Sequence, residues 1–308
     1  MNIYSKISKY ISDSDAMVDF VQLPADGNYQ KVELNLHTIN NLIKNCIREK
    51  ISSRNKFILL WGPCRVGSTA LLNVFGECRL PAYYQPIKVL LREILDSGNI
   101  KTDLPQFEDI SVIKETSGPY TIAESIFNPL SVLIQSGVSP EKIALVVMHR
   151  KADDMLDSWV RKWASLTKKE SLYANFLLSH LNEKRIKCTA LQYGIKSFDY
   201  YSKGVGDCTN DLSKLFTGLE LPQLYKEDSI SGWKEIDPDK GSYNSVSFPN
   251  EPQQFEVKNL HTPVSNYGES FSTIAGMNKK PIDRSIFITE ELKELYPRAV
   301  DYLYGFGA

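Results

Sequence analysis

The chain alternates between short apolar runs and longer segments in which apolar residues recur at helical spacing. Short apolar runs predict buried strands, and the intervening segments predict helices. This alternation predicts an α/β fold with a central, mainly parallel β-sheet flanked by helices, in which functional residues follow the strand ends. The predicted strands are residues 57–61, 112–114, 143–148 and 187–192. The predicted helices are residues 38–50, 68–77, 85–95, 121–135, 152–166, 170–181, 212–217 and 289–304.

One long segment departs from this pattern. Residues 226–282 are rich in Ser, Gly, Pro and Asn and have no sustained period, which predicts a lid or excursion. The chain has no internal repeat, low-complexity tract or interdomain linker. We therefore expect residues 1–308 to form a single domain.

Composition and charge narrow the classes of partner. The 36 basic and 37 acidic side chains leave a net charge of −1, so no global field attracts nucleic acid or an anionic membrane. No apolar run approaches the roughly 20 residues of a membrane helix. Charged residues interrupt the first 20 positions, so a secretory signal is not indicated. We expect a cytoplasmic protein that binds neither nucleic acid nor membrane and holds any anion locally.

Cysteine and histidine spacing argues against a metal centre. The five cysteines are widely spread without a CxxC pair, and none of the four histidines follows another by three or four residues. We therefore predict free thiols and no bound metal.

Residues 62–69, Gly-Pro-Cys-Arg-Val-Gly-Ser-Thr, carry the clearest chemical signal, because they join a predicted strand to a predicted helix. Amides at such a turn can point at a phosphate, and the helix dipole adds positive potential. The GxxxxG spacing is that of a nucleotide triphosphatase loop, but Ser68 replaces the lysine that reaches the terminal phosphates. Arg65 instead supplies a fixed cation. The alternative is an ordinary glycine-containing turn capped by serine.

Residues 64–72, CRVGSTALL, resemble the 5′-phosphosulfate loop of the sulfotransferases that use 3′-phosphoadenosine-5′-phosphosulfate (PAPS). That loop is commonly written PRSGST or PKSGTTW. Arg65 stands where the family carries Lys or Arg, and Cys64 replaces the usual proline. We interpret Cys64 as a small buried thiol rather than a nucleophile. The resemblance implies a P-loop-containing, sulfotransferase-like nucleotide-binding fold. It implies donor contacts at Arg65, Val66, Gly67, Ser68 and Thr69.

A second segment, residues 144–163, resembles the family's 3′-phosphate motif. Its predicted strand ends at His149-Arg150, and Ser158 follows the arginine by eight residues, about two turns into the next helix. The forked donors of Arg150 and the hydroxyl of Ser158 could reach one terminal phosphate. The alternative is a surface ion pair of Arg150 with a nearby aspartate. We expect His149 to orient the strand end.

The segment SVIKETSGPY, residues 111–120, resembles the family's Lys-Thr-His segment. Lys114 matches the lysine that assists the leaving group, but Thr116 occupies the histidine position. A threonine cannot act as a general base at neutral pH. Glu115 is therefore the first candidate for the base, and an ion pair with Lys114 is its alternative role. Further candidates for the base are His37, His261 and Glu124.

The resemblance continues more weakly towards the C-terminus. Residues 189–197 resemble the family's strand-Tyr-Glu-Asp-Leu segment without its Glu-Asp pair, which implies that Tyr193 approaches the adenine. Residues 212–222 and 288–306 resemble the helices that follow. The family's Arg-Lys-Gly segment, which closes over the 3′-phosphate, is not evident. Its candidate substitutes are Gly276, Lys279 and Lys280.

Together these segments imply a sulfotransferase with its nucleotide-binding core at residues 57–222. It would move a sulfuryl group from PAPS to a hydroxyl or amine of a small molecule, such as a bacterial secondary metabolite, and release adenosine 3′,5′-bisphosphate. Two alternatives stay open. One is a small-molecule P-loop kinase, which needs Mg²⁺ and a Walker-B aspartate. The other is a sulfotransferase-like module that binds nucleotide without turnover.

Overall fold

A computed structural model describes residues 17–18, 34–166, 169–202, 208–230, 242–243 and 246–247 of the protein. The strands are β1 Met17–Val18, β2 Leu34–Asn35, β3 Lys56–Pro63, β4 Ala82–Tyr84, β5 Ile110–Ser117, β6 Ile143–His149, β7 Lys196–Tyr201, β8 Ser242–Tyr243 and β9 Val246–Ser247. The helices are α1 Leu36–Arg48, α2 Ser68–Glu77, α3 Pro86–Ser97, α4 Ile122–Ile126, α5 Pro129–Gln135, α6 Ala152–Trp163, α7 Lys169–Gln192 and α8 Cys208–Gly218. Short 3₁₀ turns cover Pro140–Lys142, Pro222–Leu224 and Glu227–Ile230.

The described strands form a sheet in the order β7-β6-β3-β5-β4-β9-β8. The strands from β7 to β4 all run parallel, β9 continues parallel to β4, and β8 returns antiparallel to β9. Strands β1 and β2 form a separate antiparallel pair. The predicted α/β fold with a mainly parallel sheet flanked by helices is confirmed.

The central strands are buried on both faces, which explains why they read as unbroken apolar runs. On β3, Leu59 and Trp61 pack with residues of α1, α3 and α5. Ile58 and Leu60 point the other way and pack with residues of α2, α6 and α8. We call the side covered by α2 and α6 the loop face, because α2 follows the loop at residues 64–67.

The prediction of a strand at residues 187–192 is wrong, because these residues continue α7 to Gln192. The strand that follows is β7, at one end of the sheet, where Tyr200 is the one buried residue among its six. An edge strand with so little buried surface carries a weak apolar signal, whereas 187–192 is a short run that periodicity cannot classify.

Two smaller differences have local causes. The predicted helix 121–135 is divided into α4 and α5, because residues before proline disfavour helical geometry and Asn128 precedes Pro129. The Asn128 side chain accepts a hydrogen bond from the Ser131 amide and starts α5. Strand β4 was not predicted, since its three residues are too few to show a pattern.

Most of the predicted excursion at 226–282 and all of the predicted helix at 289–304 lie outside the described residues. The single-domain organisation likewise stays a prediction. Within the described part of the chain, no helix has the length and apolarity needed to cross a membrane.

Candidate functional site

The loop between β3 and α2 is packed tightly against the two neighbouring strands. The Cys64 amide donates to the carbonyl of Ser117 at the end of β5, at 3.1 Å. On the other side, a Cβ on Gly62 would lie 2.9 Å from the carbonyl oxygen of Met148 in β6. Only glycine therefore fits at residue 62, and the loop begins in the middle of the sheet's carboxyl edge.

The conformation of the loop leaves the start of α2 without a side-chain cap. Arg65 and Gly67 have left-handed backbones, with φ of 71° and 99°. Gly67 is the N-cap of α2, and no side-chain hydrogen bond caps the helix there. The first amides of a helix lack intrahelical partners and carry positive potential, so an uncapped start is suited to an anion. The hydroxyls of Ser68 and Thr69 follow directly in the first turn.

Three residues predicted from two separate segments meet beside this loop. The Arg65 Nε donates to the Ser158 hydroxyl on α6 at 2.9 Å. The Arg150 Nη1, just past the end of β6, donates to the Arg65 carbonyl at 3.0 Å. Arg65 and Arg150 are half-buried and Ser158 is buried. The arrangement places two guanidinium groups and a hydroxyl next to the uncapped helix start.

Trp159 on α6 holds the loop in place, although no sequence motif pointed to it. Its indole Nε1 donates to the Cys64 carbonyl at 2.6 Å. Its ring also fills the space over Gly118, where any Cβ would collide with it. Trp159 therefore joins the loop to the turn after β5, and the only sequence signal was its place next to Ser158.

Thr116, which stands at the family's histidine position, packs against Cys64. The Cys64 Sγ lies 3.2 Å from the Thr116 hydroxyl, which also accepts from Gln85 Nε2 at 2.8 Å. The Cys64 thiol also donates to the Gly118 carbonyl at 3.3 Å. These contacts hold the thiol in place, but Cys64 is half-buried rather than buried as predicted.

A buried charge cluster of Lys88, Arg92 and Glu124 lies under the end of β5. Lys88 Nζ and Arg92 Nε lie 3.7 and 2.6 Å from the Glu124 carboxylate. Lys88 also donates to the carbonyls of Thr116, at 3.0 Å, and Gly118. Glu124 also accepts from amides at the start of α4. The carboxylate of this candidate base is therefore already bound to Lys88, Arg92 and these amides. The sequence signal was a pair of basic residues four apart within the apolar helix α3.

Lys114 lies on the loop face, buried in β5. Its Nζ lies 3.8 Å from the centroid of the Tyr84 ring, in cation–π geometry. In the sheet register Lys114 stands beside Leu60 of β3, two residues before Thr116. The predicted action of Lys114 on the leaving group stays a prediction.

Glu115 points to the opposite face. Its carboxylate accepts from the amides of Ile87, at 2.7 Å, and Lys88, at 3.2 Å, at the start of α3. Burial raises the pKa of Glu115 to about 7, although these two amides and the Lys88 charge oppose the rise. The carboxylate thus caps α3 and faces away from Arg65, and this geometry gives no support to the predicted role as base.

Tyr193 lies at the wrong edge of the sheet to join the site. It follows α7, and its amide donates to the Thr189 carbonyl at 3.2 Å. Because β7 runs parallel to β6 and begins after Tyr193, this turn is at the amino edge of the strands. The expectation that Tyr193 approaches the adenine depended on the misplaced strand. Tyr201, exposed at the carboxyl end of β7, occupies the position that was expected for Tyr193.

His149 ties the ends of β6 and β7 together. Its Nε2 lies 2.6 Å from the Asp199 carboxylate, and its Nδ1 lies 3.4 Å from Glu183 on α7. The Tyr201 ring stacks on the imidazole with centroids 4.7 Å apart. The carbonyl of His149 accepts from the Ser202 amide, and a Cβ on Gly67 would lie 2.8 Å from the Ser202 hydroxyl.

Several other candidates cannot be placed. His261, Gly276, Lys279, Lys280 and the side chain of His37 lie outside the described residues. In the described part of the chain, no group of three His, Cys, Asp or Glu side chains could hold a metal ion.

Comparison with solved structures finds the crystal structure of mouse sulfotransferase SULT7A1 complexed with PAP. The similarity covers 92% of this chain and 95% of that chain, with a TM-score of 0.45 and 11% sequence identity. No protein-family model and no curated protein matches the chain.

Proposed function

We propose that the protein transfers a sulfuryl group from PAPS to a small acceptor at the loop of residues 64–69. The observation that carries the proposal is the meeting of Arg65, Arg150 and Ser158 through hydrogen bonds of 2.9 and 3.0 Å. They come from two segments that resemble donor-binding motifs, and the segment with Arg65 lies far in sequence from the segment with Arg150 and Ser158. Their meeting beside an uncapped helix start is suited to binding an anionic nucleotide.

The donor's two anionic ends have separate partners in this proposal. The 5′-phosphosulfate would lie against the first amides of α2, the hydroxyls of Ser68 and Thr69, and Arg65. The 3′-phosphate would lie at Arg150 and Ser158. The Arg65 guanidinium now bonds to a neutral hydroxyl, so exchanging that partner for an anion strengthens its hydrogen bonding.

The chemistry requires a developing negative charge to be stabilised. The acceptor's oxygen or nitrogen forms a bond to sulfur, while the bond from sulfur to the bridging oxygen breaks in line. The electron pair passes to the leaving 5′-phosphate of adenosine 3′,5′-bisphosphate. Arg65 and the α2 amides are preorganised for that charge, with Lys114 as a further cation. Thr116 cannot take the acceptor's proton and Glu115 faces α3, so in this proposal the proton passes to solvent water.

The acceptor side of the proposal depends on the sequence. A chain of near-zero net charge without a membrane-helix pattern suits a small soluble acceptor, such as a secondary metabolite with a hydroxyl or amine. We propose a cytoplasmic enzyme on the same basis.

The test of the proposal is a set of thermal unfolding curves for the whole chain. A ligand that binds only the native state raises the unfolding midpoint. We expect adenosine 3′,5′-bisphosphate to raise the midpoint, and ATP with Mg²⁺ to leave it unchanged. A shift with ATP and Mg²⁺ alone would favour the kinase, and no shift with either ligand would remove the proposed donor site.

Turnover is then measured with PAPS and a panel of hydroxyl and amine acceptors, following release of adenosine 3′,5′-bisphosphate. Product that depends on the acceptor supports the transferase. Tight binding of the bisphosphate without turnover of any acceptor in the panel would favour the binding module.

A further inference from the structure

A third basic residue, Lys162, belongs to the same surface as Ser158. Both lie on α6, four residues apart, and residues at this spacing share one face of a helix. The Ser158 hydroxyl on that face accepts from the Arg65 guanidinium at 2.9 Å. Lys162 is half-buried rather than fully exposed. The helix therefore directs Lys162 towards the site that Arg65 and Ser158 form.

Lys162 and Arg65 are close enough for their charges to interact. Burial lowers the pKa of Lys162, and the positive charge of Arg65 lowers it further. Like charges that are both partly removed from water repel each other, which costs free energy. An anion bound at Ser158, which contacts Arg65 and lies one helical turn from Lys162, would offset this repulsion.

The local chemistry selects the kind of anion. Arg65 donates to the Ser158 hydroxyl, Arg150 donates to the Arg65 carbonyl, and Lys162 lies one helical turn from Ser158. A phosphomonoester carries up to two negative charges and three acceptor oxygens, so it can engage several of these donors at once. A diester or sulfate ester carries a single charge.

We infer that Lys162 binds the donor's 3′-phosphate together with Arg150 and Ser158. This inference rests on the proposed function, and it assigns a residue that motif matching did not identify. The family's Arg-Lys-Gly segment is not evident in this sequence. Lys162, one of the described residues, would supply a cation for the 3′-phosphate.

Arg161 offers a matched control. It is the next residue on α6 and carries the same charge, but it is exposed and lies 3.8 Å from the Asp157 carboxylate. Removing either charge changes the net charge of the protein equally. Arg161 and Lys162 both lie within one turn of Ser158, and Lys162 is the less exposed of the two.

The experiment is a calorimetric titration of the wild type, Lys162→Met and Arg161→Met with adenosine 3′,5′-bisphosphate and with adenosine 5′-monophosphate. Loss of one charge-assisted contact predicts a bisphosphate affinity roughly 10-fold weaker in Lys162→Met. The monophosphate, which lacks the 3′-phosphate, should lose less than about twofold. Arg161→Met should bind both ligands as the wild type does. Lys162→Arg keeps the positive charge, so it should retain most of the bisphosphate affinity that Lys162→Met loses.

Each outcome has a distinct meaning. If the wild type binds the bisphosphate and Lys162→Met binds it equally well, the inference is overturned while the proposed function stands. An equal loss for both nucleotides overturns the assignment to the 3′-phosphate. If the wild type does not bind the bisphosphate at all, both the proposed function and this inference fail. Unfolding midpoints without ligand identify a misfolded variant, for which Lys162→Gln is the replacement.

Discussion

Two groups of basic side chains lie near the carboxyl edge of the sheet, and they are held differently. Lys88 and Arg92, each 2% exposed, share the buried carboxylate of Glu124. Arg65, on the loop, is half-buried and bonds to the hydroxyl of Ser158. Among the residues that the structure describes, no carboxylate lies within ion-pair distance of Arg65.

The difference separates a structural use of positive charge from a binding use. A buried cation must be balanced by the protein itself, because an uncompensated charge in the interior is strongly destabilising. A half-buried cation that bonds to a neutral group remains available to an external anion. We therefore expect changes to the buried charge cluster to lower stability, and changes to Arg65 to lower ligand affinity with little effect on stability.

The largest expected effect comes from breaking the buried charge cluster. Glu124→Gln keeps the shape of the side chain but removes the buried negative charge that Lys88 and Arg92 share, which should cost about 3–5 kcal/mol of unfolding free energy. Arg65→Met should cost less than about 1 kcal/mol, as expected of a partly exposed residue that forms one neutral hydrogen bond. Urea unfolding at pH 7 measures both. Equal losses in the two variants would refute the distinction.

A second effect, nearly as large, depends on pH and involves Glu115, beside the buried charge cluster. The native pKa of about 7 lies above the ordinary value of 4.5. Between these pH values the unfolded chain has lost the proton that the native state keeps, so the unfolding free energy falls as pH rises. This difference in pKa corresponds to about 3 kcal/mol of unfolding free energy. Urea unfolding of the wild type and Glu115→Gln from pH 4.5 to 7.5 measures it.

The difference between those two proteins isolates Glu115 from the other titrating groups. Relative to Glu115→Gln, the wild type should lose stability across that range and then level off. Parallel curves for the two proteins would show that the carboxylate titrates normally.

The smallest expected effect concerns the loop backbone. Gly67→Ala should cost about 1–2 kcal/mol, because the left-handed backbone disfavours alanine and the new Cβ would meet the Ser202 hydroxyl at 2.8 Å. Gly98→Ala is the control, since its φ of 73° is also left-handed but nothing lies within 4 Å of the new Cβ. Thermal or urea unfolding compares the two. Adding Ser202→Ala to Gly67→Ala should recover the steric part of the loss, and no recovery would mean that this contact is unimportant.

The sequence was most informative where the chain is buried on both sides. Strands β3 and β6 are unbroken apolar runs, so their ends and the loop at Arg65 could be predicted. Strand β7 could not, because its side chains are mostly exposed at one end of the described parallel strands. The role predicted for Tyr193 failed with that strand.

Contacts between residues that are distant in the sequence could not be predicted either. The spacing of Lys88 and Arg92 is visible in α3, but their shared partner, Glu124, lies in a different helix that only the folded chain brings close. Alternation along β5 also decides that Glu115 faces α3 while Lys114 faces the loop side. A sequence motif gives the order of these residues, not the face of the sheet.

The central claim is that Arg65 and Arg150 bind an anionic nucleotide. Its most direct test is calorimetric titration of adenosine 3′,5′-bisphosphate into the wild type, Arg65→Met, Arg150→Met and the control Arg161→Met. We predict that the two site variants bind roughly 10- to 100-fold more weakly, as loss of charge-assisted hydrogen bonds implies, and that the control is unchanged. Wild-type affinity in both site variants would contradict the account.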